Sequence, residues 1–562
     1  MHLRSVLQHN LTHLTLYYQR HITKGIILEQ QDLNKRLLLA LALSFFVFIG
    51  YSYFFPATPP EQTTAQTENT AHQTPSVDTA SNANVPTPSA STVTAASAPV
   101  QMASTGLVTV KSDNFMMTVD EFGRISQVEL LEVKYHDDEG NNLKILSPSE
   151  VKPLEVRFSD VKLNEEAFKT PYVNTGSQTV DVSNGAQTVT LTQTLSSVTV
   201  TKKITVKPTG EYAVTVTTSA STPYFITPGH RPVADQSMYM LVRGALVKGA
   251  DDIITTVEDG DAEGYEKFEN AKIASAFDRY VASIFFDFDK GLNVSILKEA
   301  NGDPLIFVQG SDTLELNAYI GPKDEKTLRA INPELTDAIE FGWFSFLAKP
   351  FFKVLLWIND YVGNWGWAII LFTLLVKFVL FPLSYKGMMS MQKLKDLAPK
   401  MKDIKEKYKD DPAKMNAQMM EMYKKHGANP MGGCLPLILQ IPVFFALYRV
   451  LLNADELQGA TWILWIDNLA MMDPYFVLPI LMGASMWFQQ KITPSNFTDP
   501  LQEKIFKFFP VIMTVFFIYF PSGLVLYWLV NNLFTIAQQY FINHMYEKQK
   551  AVAVAAHKKT KD

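Results

Sequence analysis

The sequence predicts a mixed architecture: a polytopic α-helical membrane core of about six transmembrane helices, joined to an extracytoplasmic antiparallel β-sandwich. Three observations carry this. Long apolar runs recur from Phe341 to Phe541, several near the roughly 20 residues that cross a bilayer. Period-2 alternation rich in β-branched residues fills the stretch from about 106 to 335. Finally, the charge of the loops between apolar runs alternates in sign. The 562 residues are 47% hydrophobic and 19% charged, an average that hides this division.

Residues 1–36 read as a cytoplasmic N-terminal segment, of which Met1–Gln31 is polar, weakly patterned and open to being an over-long gene start. Its His9/His13 pair has helical spacing but reads as chance and not as a metal site. Residues 37–55 (LLLALALSFFVFIGYSYFF) follow Lys35 and Arg36, which holds the N-terminus in the cytoplasm. A cleaved signal is the rival reading. Signal cores run to roughly 7–15 residues and a small-x-small site is missing after Phe55, so an uncleaved first anchor is expected.

Residues 56–105 are Thr, Ala, Pro, Ser, Gln and Asn with little to bury, the composition of a flexible linker. Residues 106–340 form the expected β-sandwich domain, with strands such as Val189–Leu195, Val198–Thr201 and Tyr212–Val216 separated by Lys-Pro-Thr-Gly and Ser-Asn-Gly turn signals. The single cysteine, Cys434, lies in an apolar segment, so this domain must be stabilised by its core and not by disulfides.

Residues 341–355 are aromatic-rich with one lysine in Phe341–Phe352, which predicts a helix lying in the membrane interface; the alternative is the start of the next span. Residues 356–383 form the second expected transmembrane helix. Residues 431–543 hold the third to sixth, near Leu435–Leu452, Pro474–Gln490, Ile505–Phe520 and Gly523–Phe541. The segment 384–430 carries a dense run of lysines, whereas Asn453–Asp473 has four acids and no Lys or Arg. Lysines return in the next loop and in the basic tail 544–562. Both termini are therefore expected in the cytoplasm, with the β domain on the other side.

Lys377 sits in the stretch Ile370–Pro382, otherwise uncharged, where a central lysine costs roughly 2.5–3.5 kcal/mol on insertion scales. Two readings compete. The ammonium snorkels along its stem to the cytoplasmic interface, or it faces a water-containing cavity and attracts acidic segments of a passing chain. Thr373, one turn earlier, extends a polar stripe. Gln440, Tyr527, Trp528, Asn531, Asn532, Gln538 and Gln539 are each unremarkable as contacts between helices, but together with Lys377 they are able to line one groove. Apart from Asp360 near the start of the second, the expected spans lack Asp and Glu, which counts against an ion-coupled transporter.

The segment 384–430 reads as a cytoplasmic hairpin of two amphipathic helices broken at Asp410–Ala413, with Asp411 as N-cap, Pro412 at the first helical position and Gly427 near the end. Met388, Met391, Leu394, Leu397, Met401, Ile404 and Tyr408 recur at threes and fours, facing Met415, Met419 and Met422. A hairpin seam explains most of them, and the excess of methionine suits a soft surface for varied apolar segments.

No P-loop, dinucleotide fingerprint, paired metal spacing or nucleophile elbow occurs, so no enzymatic activity, cofactor or metal is expected. The net charge of −6 gives no global field for nucleic acid, although the lysine-rich hairpin and tail offer local basic surfaces for ribosomal RNA.

Gly363–Trp367, Asn429–Pro436, Gln440–Pro442, Asp473–Tyr475 with Leu478–Gly483, and Phe520–Tyr527 occur in one order over about 200 residues. In these motifs the chain resembles the YidC/Oxa/Alb insertases, specifically the Gram-negative form with a large periplasmic domain. The resemblance implies a bacterial inner-membrane protein whose five-helix core surrounds a hydrophilic groove. That groove admits the polar tail of a nascent membrane protein while the apolar span slides into lipid. Lys377 stands where an arginine is common in the family, which keeps charge but loses bidentate pairing. Thr373 and Trp528 match groove positions, Trp528 in place of a common tyrosine, and Gln440, Phe444 and Phe516 match substrate-contact positions. Implied partners are nascent membrane proteins, the Sec translocon, ribosomes at the tail and hairpin, and the lipid bilayer, with no small-molecule substrate. Two other classes stay open: a solute transporter or channel, and a membrane-tethered periplasmic carbohydrate-binding protein or enzyme.

Overall fold

The computed structural model describes residues 105–136, 139–233, 242–409, 411–427, 435–493 and 500–559. The expected N-terminal segment, anchor and most of the linker, and Cys434, lie outside these. Residues Pro399–His426 form a unit of their own, and the other described residues form a second.

Three sheets make up the β-rich part. A nine-stranded sheet runs from Ile254–Glu258 at one edge, through Glu211–Thr218 and Thr313–Pro322, to Val173–Asn174 at the other. Two five-stranded sheets accompany it, and every pairing is antiparallel except Gly106–Lys111 with Thr179–Asp181. Alternation places Tyr212, Val214 and Val216 in the core while Ala213 and Thr217 face water. Ile273–Phe277 and Val281–Phe286 break that rule, being buried on both faces. Their residues divide between two cores: Ala274, Ala276 and Phe285 pack into the β core, while Ile273, Phe277, Ile284 and Phe286 pack with the helical part. A strand covered on both sides reads as a continuous apolar run, which accounts for the sequence Val-Ala-Ser-Ile-Phe-Phe.

Among the described residues the helices are α1 (Val161–Ala167), α2 (Glu325–Ile331), α3 (Ser345–Val362), α4 (Trp365–Lys407), α5 (Pro412–His426), α6 (Leu435–Asn453), α7 (Val477–Ile492), α8 (Pro500–Phe517) and α9 (Ser522–Lys559). The stretch expected as an interfacial helix (341–355) and a span (356–383) divides elsewhere. Gly363 adopts φ 68° and its N–H closes on the Asn359 carbonyl at 2.8 Å, which ends α3 in a left-handed cap. Asn364 then accepts the N–H of Trp367 at 3.2 Å and starts α4. Leu356–Val362 therefore belong to α3, where Trp357 and Tyr361 are exposed and stack edge to face.

α4 does not stop at Leu383. Its 43 residues extend about 64 Å, twice a hydrocarbon core, so the first arm of the expected hairpin is the continuation of the span. Nothing between Ser384 and Lys407 supplies a left-handed cap. α9 likewise continues past Phe541 to Lys559.

Candidate functional site

α4, α6 and α9 meet around a partly open cavity of about 40 Å³, enough for a few waters, lined on α4 by Thr373, Lys377, Leu380, Ser384 and Met388. α6 contributes Gln440 and Val443, and α9 contributes Tyr527, Asn531, Thr535 and Gln538. Helical periodicity produces this convergence: residues 373, 377, 380 and 384 share one face of α4, and 527, 531, 535 and 538 one face of α9.

Lys377 Nζ donates to Thr535 Oγ1 at 2.8 Å, and Thr535 in turn donates to the Asn531 carbonyl at 2.8 Å. No carboxylate among the described residues pairs with this ammonium. Thr373, 1% exposed, spends its hydroxyl on the Ile369 carbonyl at 2.7 Å, so it contributes a polar wall without offering a free donor. Phe378 and Val379, beside Lys377 in sequence, are about 70% exposed at 73% and 69% and present apolar surface away from the cavity. The helix thus holds a cation on one face and hydrocarbon on the other.

Thr373, Lys377, Gln440, Tyr527 and Asn531 of the expected groove come together here. Phe444, Phe516 and Trp528 do not line the cavity. They form an adjoining aromatic cluster, with Phe444 and Trp528 centroids 4.6 Å apart, Phe517 and Trp528 5.0 Å, and Phe516 and Phe520 4.9 Å. The reason is angular. Trp528 follows Tyr527 by one residue, about 100° around α9, so the two side chains face different neighbours.

Met388, expected in the hairpin seam, is buried in the cavity wall. Met391 is half-buried. In the unit Pro399–His426, Met415 and Met419 are half-buried, the Tyr423 hydroxyl meets Met401 Sδ at 3.4 Å, and Asp411 caps α5 through the Lys414 N–H at 3.1 Å. Thr535 and Ser384 were missed by sequence reasoning. Their spacings, four after Asn531 and seven after Lys377, were the signal that would have found them.

A helical membrane core carrying a buried polar cavity, joined to a large β domain, defines the class of protein. Residues 357–550 match the family profile described as 60Kd inner membrane protein, and residues 285–354 match that of the YidC periplasmic domain. The membrane protein insertase YidC of Campylobacter jejuni is 49% identical over 94% of this chain and 98% of its own length. That of Wolinella succinogenes is also 49% identical, over 94% and 98%, and that of Helicobacter pylori 44%, over 93% and 98%. The chain belongs to the YidC family of membrane protein insertases, proteins of the bacterial inner membrane with a periplasmic domain.

Proposed function

We propose that this chain performs the family's membrane protein insertion through the cavity around Lys377. The supporting observation is an ammonium partnered by a hydroxyl and, among the described residues, by no carboxylate, inside a water-sized polar cavity on the otherwise apolar stretch Ile370–Pro382 of α4. A cation so placed lowers the cost of bringing an acidic or polar segment into the membrane, while the exposed apolar faces of α4 and α8 offer the following span a route to lipid. Phe444, Phe516 and Trp528 supply the apolar wall beside the polar one.

In this reading residues 106–340 are the periplasmic domain, α4 and α6 to α9 cross the membrane, and Pro399–His426 lies in the cytoplasm with both termini, as the lysine distribution requires. The first anchor at 37–55 completes the set. Nascent membrane proteins are the substrates; the Sec translocon and the ribosome are partners, the latter through the basic tail and hairpin. Chemistry is not part of this function, and neither is a cofactor.

The test is insertion of a short single-span protein with an acidic N-terminal tail into proteoliposomes holding only this chain. Native protein and Lys377→Arg are expected to insert it, and Lys377→Ala to do so several-fold less. Equal insertion by all three would reduce Lys377 to a snorkelling side chain.

A further inference from the structure

Away from the membrane core, one cluster combines a buried imidazole with carboxylates from two separate places in the chain. Gly229, at φ 90°, packs where a Cβ would meet Pro153 N at 2.6 Å, and this close approach lets the His230 N–H bond the Val151 carbonyl at 2.9 Å. His230 is thereby held beside Glu150. On the opposite side, strands Leu292–Lys298 and Pro304–Gly310 are joined by a tight turn in which Glu299 N–H bonds the Asp303 carbonyl at 2.9 Å, so Glu299 and Asp303 flank one turn.

The ligand atoms of Glu150, His230 and Glu299 lie within 4.8 Å of one another. The imidazole is 6% exposed; its Nε2 stands 3.4 Å from Asp303 Oδ2 and 3.7 Å from Glu299 Oε2. These separations are long for a charge-assisted N–H···O bond, which closes to roughly 2.7–2.9 Å. The 3.4 Å separation falls on a donor-to-donor edge around a tetrahedral ion, about 3.3–3.6 Å for bonds of 2.0–2.2 Å, and the 3.7 Å one lies just above it.

The other ring nitrogen supplies an independent observation from outside the cluster. Nδ1 faces the Arg231 carbonyl at 3.3 Å. A backbone carbonyl holding the far nitrogen is the arrangement that orients metal-binding histidines. Asp303 Oδ2 is itself oriented by Asn301 Nδ2 at 2.8 Å.

We propose that Glu150, His230, Glu299 and Asp303 form a site for a divalent transition metal of the zinc type on the β domain. One nitrogen and carboxylate oxygens make a donor set that suits zinc. Mg²⁺, which demands octahedral oxygen ligands near 2.1 Å and keeps its waters, fits poorly.

The full chain in detergent, stripped with a chelator, is titrated with Zn²⁺ against a chromophoric competitor and separately with Co²⁺ as a visible-absorption probe. The expected result is one ion per chain, intense tetrahedral Co²⁺ bands, and a loss of at least roughly tenfold in affinity in Glu299→Gln and Asp303→Asn and of all stoichiometric binding in His230→Ala. Circular dichroism checks that His230→Ala folds; if it does not, the two carboxylate variants decide. Absence of stoichiometric uptake, uptake unchanged in the carboxylate variants, or displacement by equimolar Mg²⁺ would each overturn the proposal.

Discussion

Tyr135 donates its hydroxyl to Asp455 across 320 residues of sequence, at 2.6 Å, in an environment where Asp455 is 0% exposed. Lys134 Nζ reaches the same carboxylate oxygen at 3.1 Å. This joins the β domain to the loop after α6, and the join is reinforced where Arg279 Nε donates to the Leu452 carbonyl at 2.6 Å and Asn453 Nδ2 to the Glu340 carbonyl at 2.7 Å. Tyr135→Phe is expected to cost about 1–3 kcal/mol, because the buried carboxylate loses a donor, and Asp455→Ala more, because it strands two donors. Thermal unfolding of the purified chain in detergent measures both; a Tyr135→Phe midpoint equal to native would show that the bond contributes nothing net.

The same junction carries two buried groups of opposite pH response. Burial pushes the Glu456 carboxyl up to about 8, with Asp324 and Asp455 adding to it, while its Oε1 accepts the Glu325 N–H at 3.0 Å. A raised carboxyl favours the protonated folded form. Its penalty is absent below the ordinary value of 4.5, grows by about 1.4 kcal/mol for each pH unit up to about 8, and is then constant. Burial also pulls Lys323 down to about 8 despite Glu340, Asp278 and Asp455, so stability returns between that pH and 10.5. The junction is expected to be weakest near pH 8, and Glu456→Gln to remove the acid-side slope. Unfolding midpoints of native and variant from pH 5 to 8 check this; parallel curves would refute it.

Asp473 organises the turn into α7. Its Oδ1 accepts from Trp465 Nε1 at 2.9 Å and Tyr475 N at 3.0 Å, and its Oδ2 from Leu478 N at 2.6 Å. Asp473→Ala leaves three donors unmet and is expected to cost at least about 2 kcal/mol, with Asp473→Asn recovering part. Folded yield and unfolding midpoint in detergent read this out.

Thr535→Val separates pairing from charge at Lys377. It removes the ammonium's hydroxyl partner while leaving the charge, so stability is expected to fall by about 1–2 kcal/mol and acidic-tail insertion to persist. Insertion lost as fully as in Lys377→Ala would assign the function to the Lys377–Thr535 pair and not to the cation.

Beyond the cavity, the continuation of α4 is tied to that of α9. Asp396 accepts from the Tyr546 hydroxyl and from Lys550 Nζ, each at 2.9 Å, and Asn543 accepts from Gln539 at 2.6 Å and from Gln392. These groups are partly exposed, so Asp396→Ala is expected to cost under about 1 kcal/mol overall yet to speed hydrogen exchange over 543–559. Unchanged exchange there would show the tie to be passive.

Much of this was legible from local patterns. Alternation in Glu211–Thr218, the Asp411-Pro412 start of α5 and the lone lysine of Ile370–Pro382 are read from residues a few positions apart, because backbone geometry sets the periods 2 and 3.6. Local patterns do not say where a helix leaves the bilayer, which is why α4 and α9 outran their expected ends. Nor do they reveal what faces a side chain across space. By itself the sequence determined the two-part architecture, the family, and that a charge at Lys377 needs a polar surrounding. Only the tertiary structure decided that Thr535 supplies its partner, that Trp528 turns to the aromatic cluster, and that Tyr135 meets Asp455. The first and last of these join residues 158 and 320 positions apart, fixed by packing and by the need to satisfy buried polar groups.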